Sequence, residues 1–472
     1  MLKIYFMIIL CMVPSRASAD SFLPRFMGGI DPGIPTDNKV SGIYFNPAAI
    51  GKIKGTSISL SFSPNFQTST ASRYPISTLT GNTSATPDKF FSSGSYSNNI
   101  WDFFGGITTD FGMDRITLGI AVFSPLQQDI SDVPEPLKYH LVERKLMNLF
   151  ISSVVSLKLH KKFHIGFGLS YVYSKIHMDV IRDRYLRGTT PDGVLEAYET
   201  GGYADEKVIV DSDDNNFGFS VGFYWLVKKW LTVGGSYRSK IRGIDSTGVR
   251  TTGSGSITRY VDGEGFTTLN GDAQLTTSFP DSYNLGAKIK LSRYWEGDFT
   301  LTWTRWSTHK SMKILLSGND FTNSSLTNWD LNISSYRGFQ DTITPQLTMF
   351  YTGLRGFSFI TSLRYLPPST PLSWVNPSVV DNHSVELLLS STFKVFSNMS
   401  IRLGYAVSYM FETDVSKSGY DPSLAIICLD NHIDVVWSQA CRDTYAGKAM
   451  PTAAGVYNRI THQIGLGIEL SF

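Results

Sequence analysis

From about residue 56 to the end, apolar and polar positions alternate along the chain with a period of two. Ile165, Phe167, Leu169, Tyr171 and Tyr173 interleave with Gly166, Gly168, Ser170, Val172 and Ser174. Met399, Ile401, Leu403, Tyr405, Val407 and Tyr409 interleave with Ser400, Arg402, Gly404, Ala406 and Ser408, and 217–225 and 283–291 repeat the pattern. Each run predicts a strand with one apolar face and one small or polar face. Strands of a soluble sandwich average roughly 5–6 residues. Runs of ten or more have the length of a tilted strand that crosses a bilayer.

Fourteen such runs lie near 56–66, 100–109, 115–127, 147–159, 163–180, 216–227, 230–248, 272–291, 295–316, 342–354, 357–366, 383–395, 398–415 and 457–472. Their connections fall into two alternating classes. Short turns sit at Gly112-Met113-Asp114, Lys161-Lys162, Lys228-Lys229, Ser292-Arg293, Arg355-Gly356 and Ser397-Asn398. Long polar loops occupy 67–99, 128–146, 181–215, 249–271, 317–341, 367–382 and 416–456. Short periplasmic turns, long extracellular loops and an even strand count are the pattern of a bacterial outer-membrane barrel. The expected fold is therefore all-β, a 14-stranded antiparallel transmembrane β-barrel over 56–472. Aromatics support two girdles: Tyr171, Tyr173, Tyr237, Trp303, Tyr365 and Tyr409 at the long-loop ends, and Phe163, Trp225, Trp230, Trp295 and Phe396 at the short-turn ends. The last strand ends in Phe472 with Leu470, Ile468, Leu466 and Ile464 at every second position behind it. Such an ending resembles the signal read by the outer-membrane assembly machinery.

The N-terminus agrees. Lys3, the apolar run 4–13 and the Ala17-Ser18-Ala19 site make residues 1–19 a secretory signal peptide, too short to span a bilayer as a helix. Those residues hold Lys3 and Arg16 and no acid, so the remaining chain carries equal numbers of basic and acidic residues. Without a basic field, nucleic-acid binding is disfavoured. Charged residues make up only 17%, below the roughly 25% of a soluble domain. Cys428 and Cys441 are the two cysteines outside the leader, and in an oxidising compartment they read as a disulfide. Closing a loop of that size contributes about 3 kcal/mol. Eight histidines are scattered without metal-ligand or nucleophile–base spacing, so no enzyme activity, metal or cofactor is expected.

Residues 20–55 do not alternate. Gly28-Gly29, Asp31-Pro32-Gly33 and Ile34-Pro35 prevent regular strands, yet Ile30, Ile34, Ile43, Tyr44, Phe45 and Ile50 are too apolar for a solvated tail. A fourteen-stranded lumen is wide enough to need filling, and this segment is the expected plug. The stretch from Gly28 to Ile50, centred on Asn46-Pro47-Ala48, resembles the N-terminal hatch of the outer-membrane long-chain fatty acid and hydrocarbon transporter family (FadL/TodX/OmpP1 type). The resemblance continues through Tyr237-Arg238-Ser239, Phe279-Pro280-Asp281, Trp303 to Ser307, Gly338-Phe339 and the terminal strand. It implies an outer-membrane channel in which a hydrophobic ligand binds in the lumen and leaves sideways into the lipid where the third strand kinks. The implied partners are that ligand and the surrounding outer-membrane lipids.

The sequence supplies a cause for the kink. The third strand reads Thr117 to Gln127 with Ser124-Pro125 inside it, and Val122 and Phe123 break the alternation just before. Proline cannot donate to a ladder and must sit at a break or bulge. The expected lateral gate is Ser124 and Pro125, with Asn46, Pro47 and Ala48 packed against the opening and the Asn46 amide serving backbone groups left unpaired there. Where the family places its carboxylate-binding cations, just beyond strand five and before strand ten, this chain has Val180 and Ser335. Arg182 and Arg337, two residues further on, are the headgroup candidates, with Lys175 and His177 as alternatives. Long-chain fatty acids are the first cargo reading and neutral aromatic or aliphatic hydrocarbons the second. A surface adhesin acting through 416–456 and a water-filled porin are the readings outside this family.

Overall fold

The computed structural model describes residues 30–73, 93–183, 205–243, 248–261, 265–309, 311–323, 331–336, 338–415 and 453–472. The leader, Arg337, Cys428 and Cys441 lie outside the described residues, and for Arg182 the backbone alone is described.

Eighteen strands follow one another: β1 (Thr56–Arg73), β2 (Ser93–Thr109), β3 (Ile116–Ser131), β4 (Glu143–His160), β5 (Phe163–Asp183), β6 (Asp205–Lys228), β7 (Leu231–Arg238), β8 (Val249–Val261), β9 (Gly265–Thr277), β10 (Ser282–Lys290), β11 (Trp295–Thr304), β12 (Ser311–Ser317), β13 (Asn332–Tyr336), β14 (Thr342–Leu354), β15 (Phe357–Leu366), β16 (Ser384–Phe396), β17 (Met399–Val415) and β18 (Gly455–Ser471). Fourteen of them are the staves of a closed antiparallel barrel. β1 to β7 pair in sequence, β7 pairs β10, β10 pairs β11, β11 pairs β14, and β14 to β18 pair in sequence. β18 closes on β1 from Ser57↔Ser471 to Arg73↔Gly455, so no edge is left. No described helix is long and apolar enough to cross a membrane; the strands do so.

Outward positions are apolar. Leu169 is 72% exposed, Leu60 56% and Leu285 54%, an exterior that only lipid can cover. Aromatic rows belt it, with Tyr237 4.8 Å from Tyr283 and Tyr283 5.0 Å from Trp303 near the long-loop end. Trp295 lies 4.8 Å from Tyr351 near the short-turn end.

The other four strands correct the sequence reading. The runs 272–291 and 295–316 are each two strands, and 249–271 and 317–341 are not simple loops. β8 pairs β6 beyond the barrel rim, then β9 pairs β8, β12 pairs β9 and β13 pairs β12. They form an extracellular collar raised on the long β6. The breaks fall at Pro280, which donates no ladder bond, and at the Trp306–Thr308 turn, where Arg305 Nη1 meets the Asp281 carboxylate at 3.1 Å. Alternation persists across both breaks because the collar also buries one face: Val208, Val210, Ile257, Leu275, Ile314 and Leu316 are almost fully covered. From the opposite rim, 375–381 turns into the mouth. Tyr96 Oη donates to Pro377 O at 2.6 Å, Arg144 to Ser378 O at 2.8 Å and Arg459 to Val380 O at 3.0 Å.

Candidate functional site

Residues 30–53 lie inside the barrel, where they contact staves around most of the wall. Pro32 O accepts from Gln346 on β14 at 2.7 Å and from Arg364 on β15 at 3.3 Å. Thr36 donates to Asp298 on β11, and Lys288 on β10 meets Asp37 at 3.2 Å. Arg402 on β17 lies 3.7 Å from Asp31 and pairs with Glu469. On the far side Ser236 of β7 donates to Phe45 O at 2.6 Å, and Ser156 of β4 donates to Ala48 O at 3.0 Å.

Glycines make this seat possible. On the lumenal face of β5, a Cβ at Gly166 would stand 2.3 Å from both Ala48 N and Pro47 C. Gly222 on β6 would meet the Asn46 amide oxygen at 2.1 Å, and Gly234 on β7 would meet Pro35 O at 2.4 Å. Gly166 and Gly222 are register partners, as are Gly234 and Gly286 of β10. The alternate glycines of these strands are thus the groove into which the backbone of the segment presses.

The third stave is broken where its proline sits. Two residues of β3, Ser124 and Pro125, face the single Leu149 of β4. On the other side, β2 pairs at Asn98↔Ile130 and resumes only at Phe104↔Phe123. Side chains stitch the gap: Gln127 donates to Trp101 O at 3.3 Å and to Ser124 O at 2.9 Å. The Asn98 amide oxygen accepts from Asp129 N at 2.8 Å, and Ser124 Oγ donates to Asn148 O at 2.9 Å. In hydrocarbon an unpaired backbone group costs several kcal/mol, so these residues are what lets a wall lose ladder bonds without unravelling.

Asn46, Pro47 and Ala48 are not at this gap, which corrects the sequence expectation. Asn46 donates to Pro35 O at 2.7 Å and to Phe223 O on β6 at 2.9 Å, while its own oxygen accepts from Ala48 N at 3.0 Å. The tripeptide therefore locks the segment to β4–β6. Tyr44 occupies the place expected for it: its ring lies 5.0 Å from Phe123, which stacks on Phe104 and Phe150 at 5.9 and 5.4 Å. Behind Tyr44, the Arg238 guanidinium lies 3.3 Å from the ring centroid and donates to Tyr44 O.

One buried apolar cluster joins these parts. It runs from the collar through Met178, Ile176 and Val172 of β5 and Leu146 and Phe150 of β4 to Phe123, Tyr44, Ile43 and Val40. On the outer wall of the same staves, Ile107, Leu118, Ile120, Phe167 and Leu169 line an apolar groove of about 870 Å³ with Ser153 between them.

Four lumenal cations are committed. Arg364 pairs with Glu386 at 3.3 Å, and Arg238, Lys288 and Arg402 have the partners given above. Lys175 and His177, taken from the sequence as headgroup candidates, lie on the opposite face. The lumen-facing positions of β5 are Val172, Ser174, Ile176 and Met178, so odd-numbered neighbours point out of the barrel. His177 there meets Asp211 at 2.8 Å. Arg182 pairs in register with Glu206 on β6. Gln127 and Asn98 were not singled out from the sequence, and Tyr44 and Arg238 were named only as an apolar residue of the plug and as part of the Tyr237-Arg238-Ser239 motif.

A family model described as "Outer membrane protein transport protein (OMPP1/FadL/TodX)" matches residues 33–440. A Pseudomonas aeruginosa FadL homologue superposes with a TM-score of 0.71 at 16% identity, over 98% of this chain and 99% of that one. The Pseudomonas putida toluene transporter TodX does so at 0.65 with 11% identity, covering 95% and 99%. The Ralstonia pickettii toluene transporter TbuX reaches 0.62 at 12%, again covering 95% and 99%. At these identities the likeness is one of fold. A comparison with curated proteins finds no match.

Proposed function

The chain belongs to the outer membrane protein transport family (OMPP1/FadL/TodX), it is an outer-membrane channel for hydrophobic substrates, and from that premise we propose a route and a cargo class. A hydrophobic molecule enters over the apolar inner face of the collar and descends the buried cluster to Phe123 and Tyr44. It leaves between β2 and β3 at the gap beside Ser124-Pro125 and reaches the lipid along the outer groove. Residues 30–53 act as the hatch that keeps the lumen shut toward the periplasm. The observation that carries this reading is the continuity of one apolar cluster from the collar to the interrupted ladder.

The cargo we propose is a neutral hydrocarbon rather than a fatty acid. A carboxylate leaving water needs a cation or several donors. Of the described cations, Arg238, Lys288, Arg364 and Arg402 in the lumen are each held by the hatch or by a wall carboxylate. Arg144 and Arg459 at the mouth are engaged by the carbonyls of Ser378 and Val380. Uptake of radiolabelled toluene, hexadecane and oleate by cells lacking other channels of this family tests the choice. The protein should raise hydrocarbon uptake several-fold over vector and leave oleate at the vector level. Saturable oleate uptake as strong as that of either hydrocarbon would sink the cargo assignment.

A further inference from the structure

Beyond the membrane belt, on the outward face of the extended β4, β5 and β6, two rows of ionisable side chains lie side by side. Lys145, His177 and Asp211 are register partners in one row, and Glu143 and Asp179 are partners in the next. His177 is six residues past the girdle residue Tyr171, roughly 20 Å along the strand, and so outside the lipid. Its Nδ1 lies 2.8 Å from Asp211 Oδ1, while Nε2 lies 3.4 Å from Asp179 Oδ1 and 3.9 Å from Glu143 Oε1. The Asp179 side chain is only 8% exposed, and its Oδ1 has no hydrogen-bond donor. Lys207 engages the other oxygen of Asp179 at 2.8 Å, and Lys145 lies 2.5 Å from Glu143 Oε1.

These contacts bring one imidazole nitrogen and two carboxylate oxygens together. The Nε2 of His177 faces two carboxylates, and one of the oxygens it faces, Asp179 Oδ1, is over nine-tenths buried and accepts no hydrogen bond. The three ligand atoms lie within 4.8 Å of one another, with Nε2 3.4 and 3.9 Å from the two carboxylate oxygens. A small inward shift brings them to the roughly 3.4 Å edge of a tetrahedral ion with bonds of about 2.0–2.1 Å. A carboxylate on the far nitrogen of a ligating histidine is the usual support for such a site. One imidazole with two carboxylates suits zinc and its neighbours better than calcium or magnesium, which take oxygen ligands alone.

We propose that Glu143, His177 and Asp179, oriented by Asp211, bind a divalent transition-metal ion such as zinc on the outer face of the extracellular extension. Water completes the tetrahedron, and Lys145, which is 52% exposed, swings away from Glu143 to admit the ion. The bound metal staples β4 to β5, and through Asp211 it engages β6, the strand that carries the collar. It stiffens the extension from which the collar rises.

The test uses the full chain in detergent, stripped with a chelator and titrated with Zn²⁺ or with Co²⁺ as a spectroscopic probe. One equivalent should bind, with a cobalt absorption band of tetrahedral N/O ligation. His177→Ala should abolish binding, and Asp211→Asn should weaken it about 10–100-fold. Glu143→Gln and Asp179→Asn should abolish it while heat-modifiable gel mobility shows an intact barrel. The proposal fails if wild type and His177→Ala give superimposable zinc titrations, or if wild type binds no zinc and the rows are an ion-pair lattice only. It fails equally if ¹⁵N-histidine spectra taken with one equivalent of zinc show His177 protonated on both nitrogens.

Discussion

Pro125 has no N–H to give a neighbouring strand, and the register slip of β3 falls on Ser124 and Pro125. The residues that tolerate the break come from β3 itself and from its neighbour β4: Gln127 bridges to Trp101 O and Asn148 reaches Leu126 O at 3.4 Å. Replacing Pro125 with valine supplies a donor and a β-former, worth about 1 kcal/mol if one ladder bond is regained. We expect the Pro125→Val barrel to fold with normal heat-modifiable mobility and to take up hydrophobic substrate several-fold more slowly. Transport at the parental rate by a folded Pro125→Val protein would place the exit elsewhere. Proline in a long alternating run was legible as a break. That Tyr44 and not Asn46 would stand behind it was not legible, because the turn 42–46 decides which side of the segment faces β3.

At the scale of elements, β5, β6, β7 and β10 are shaped by what lies against them. Their alternate glycines read in the sequence only as a small inner face. In the structure they are the seat of 35–48, with Gly166 and Gly222 side by side under the Asn46-Pro47-Ala48 turn. Gly166→Val overpacks that contact, at a cost of about 1–3 kcal/mol. The strand itself keeps its partners and gains a β-branched residue, so the barrel should still form while the segment is pushed from its seat. Single-channel recording in planar bilayers should then show a larger ion conductance than wild type. A Gly166→Val channel as tight as wild type would mean that the segment does not close the lumen. The collar strands β8, β9, β12 and β13 show the limit of pattern reading. Their one-sided burial produces the same alternation as a membrane stave, so period alone merged β9 with β10 and β11 with β12.

For the whole molecule, closure at the periplasmic end gathers β1, β2 and the terminus around one carboxylate. Asp110 accepts from Gly112 N at 2.9 Å and from Gly55 N at 3.2 Å, and Lys54 lies 3.6 Å away. Next to it Thr56 N donates to Phe472 O at 3.0 Å and Phe472 N to Thr56 O at 2.8 Å. The Gly112 N–H, then those of Gly55 and the Lys54 charge, hold the Asp110 carboxyl below its ordinary value of 3.8. A carboxyl lowered on folding stabilises the barrel above its unfolded value, and that contribution is lost as pH falls through the folded value. Urea unfolding from pH 7 down to pH 2 should therefore show a fall in midpoint below about pH 4, shallower in Asp110→Asn than in wild type. Parallel acid limbs in the two proteins would remove Asp110 from the acid response.

The amino-acid sequence by itself determined the class, the fourteen staves, their short turns and the proline break. Those features are local: a period of two, a missing N–H and turn residues between runs act within a few positions of themselves. The tertiary structure alone decided which glycines, arginines and hatch residues meet, and that four strands leave the wall for a collar. Those facts depend on register around a closed ring. In such a ring a one-residue shift exchanges lumen for lipid along a strand, and partners such as Thr36 and Asp298 lie hundreds of residues apart in the chain.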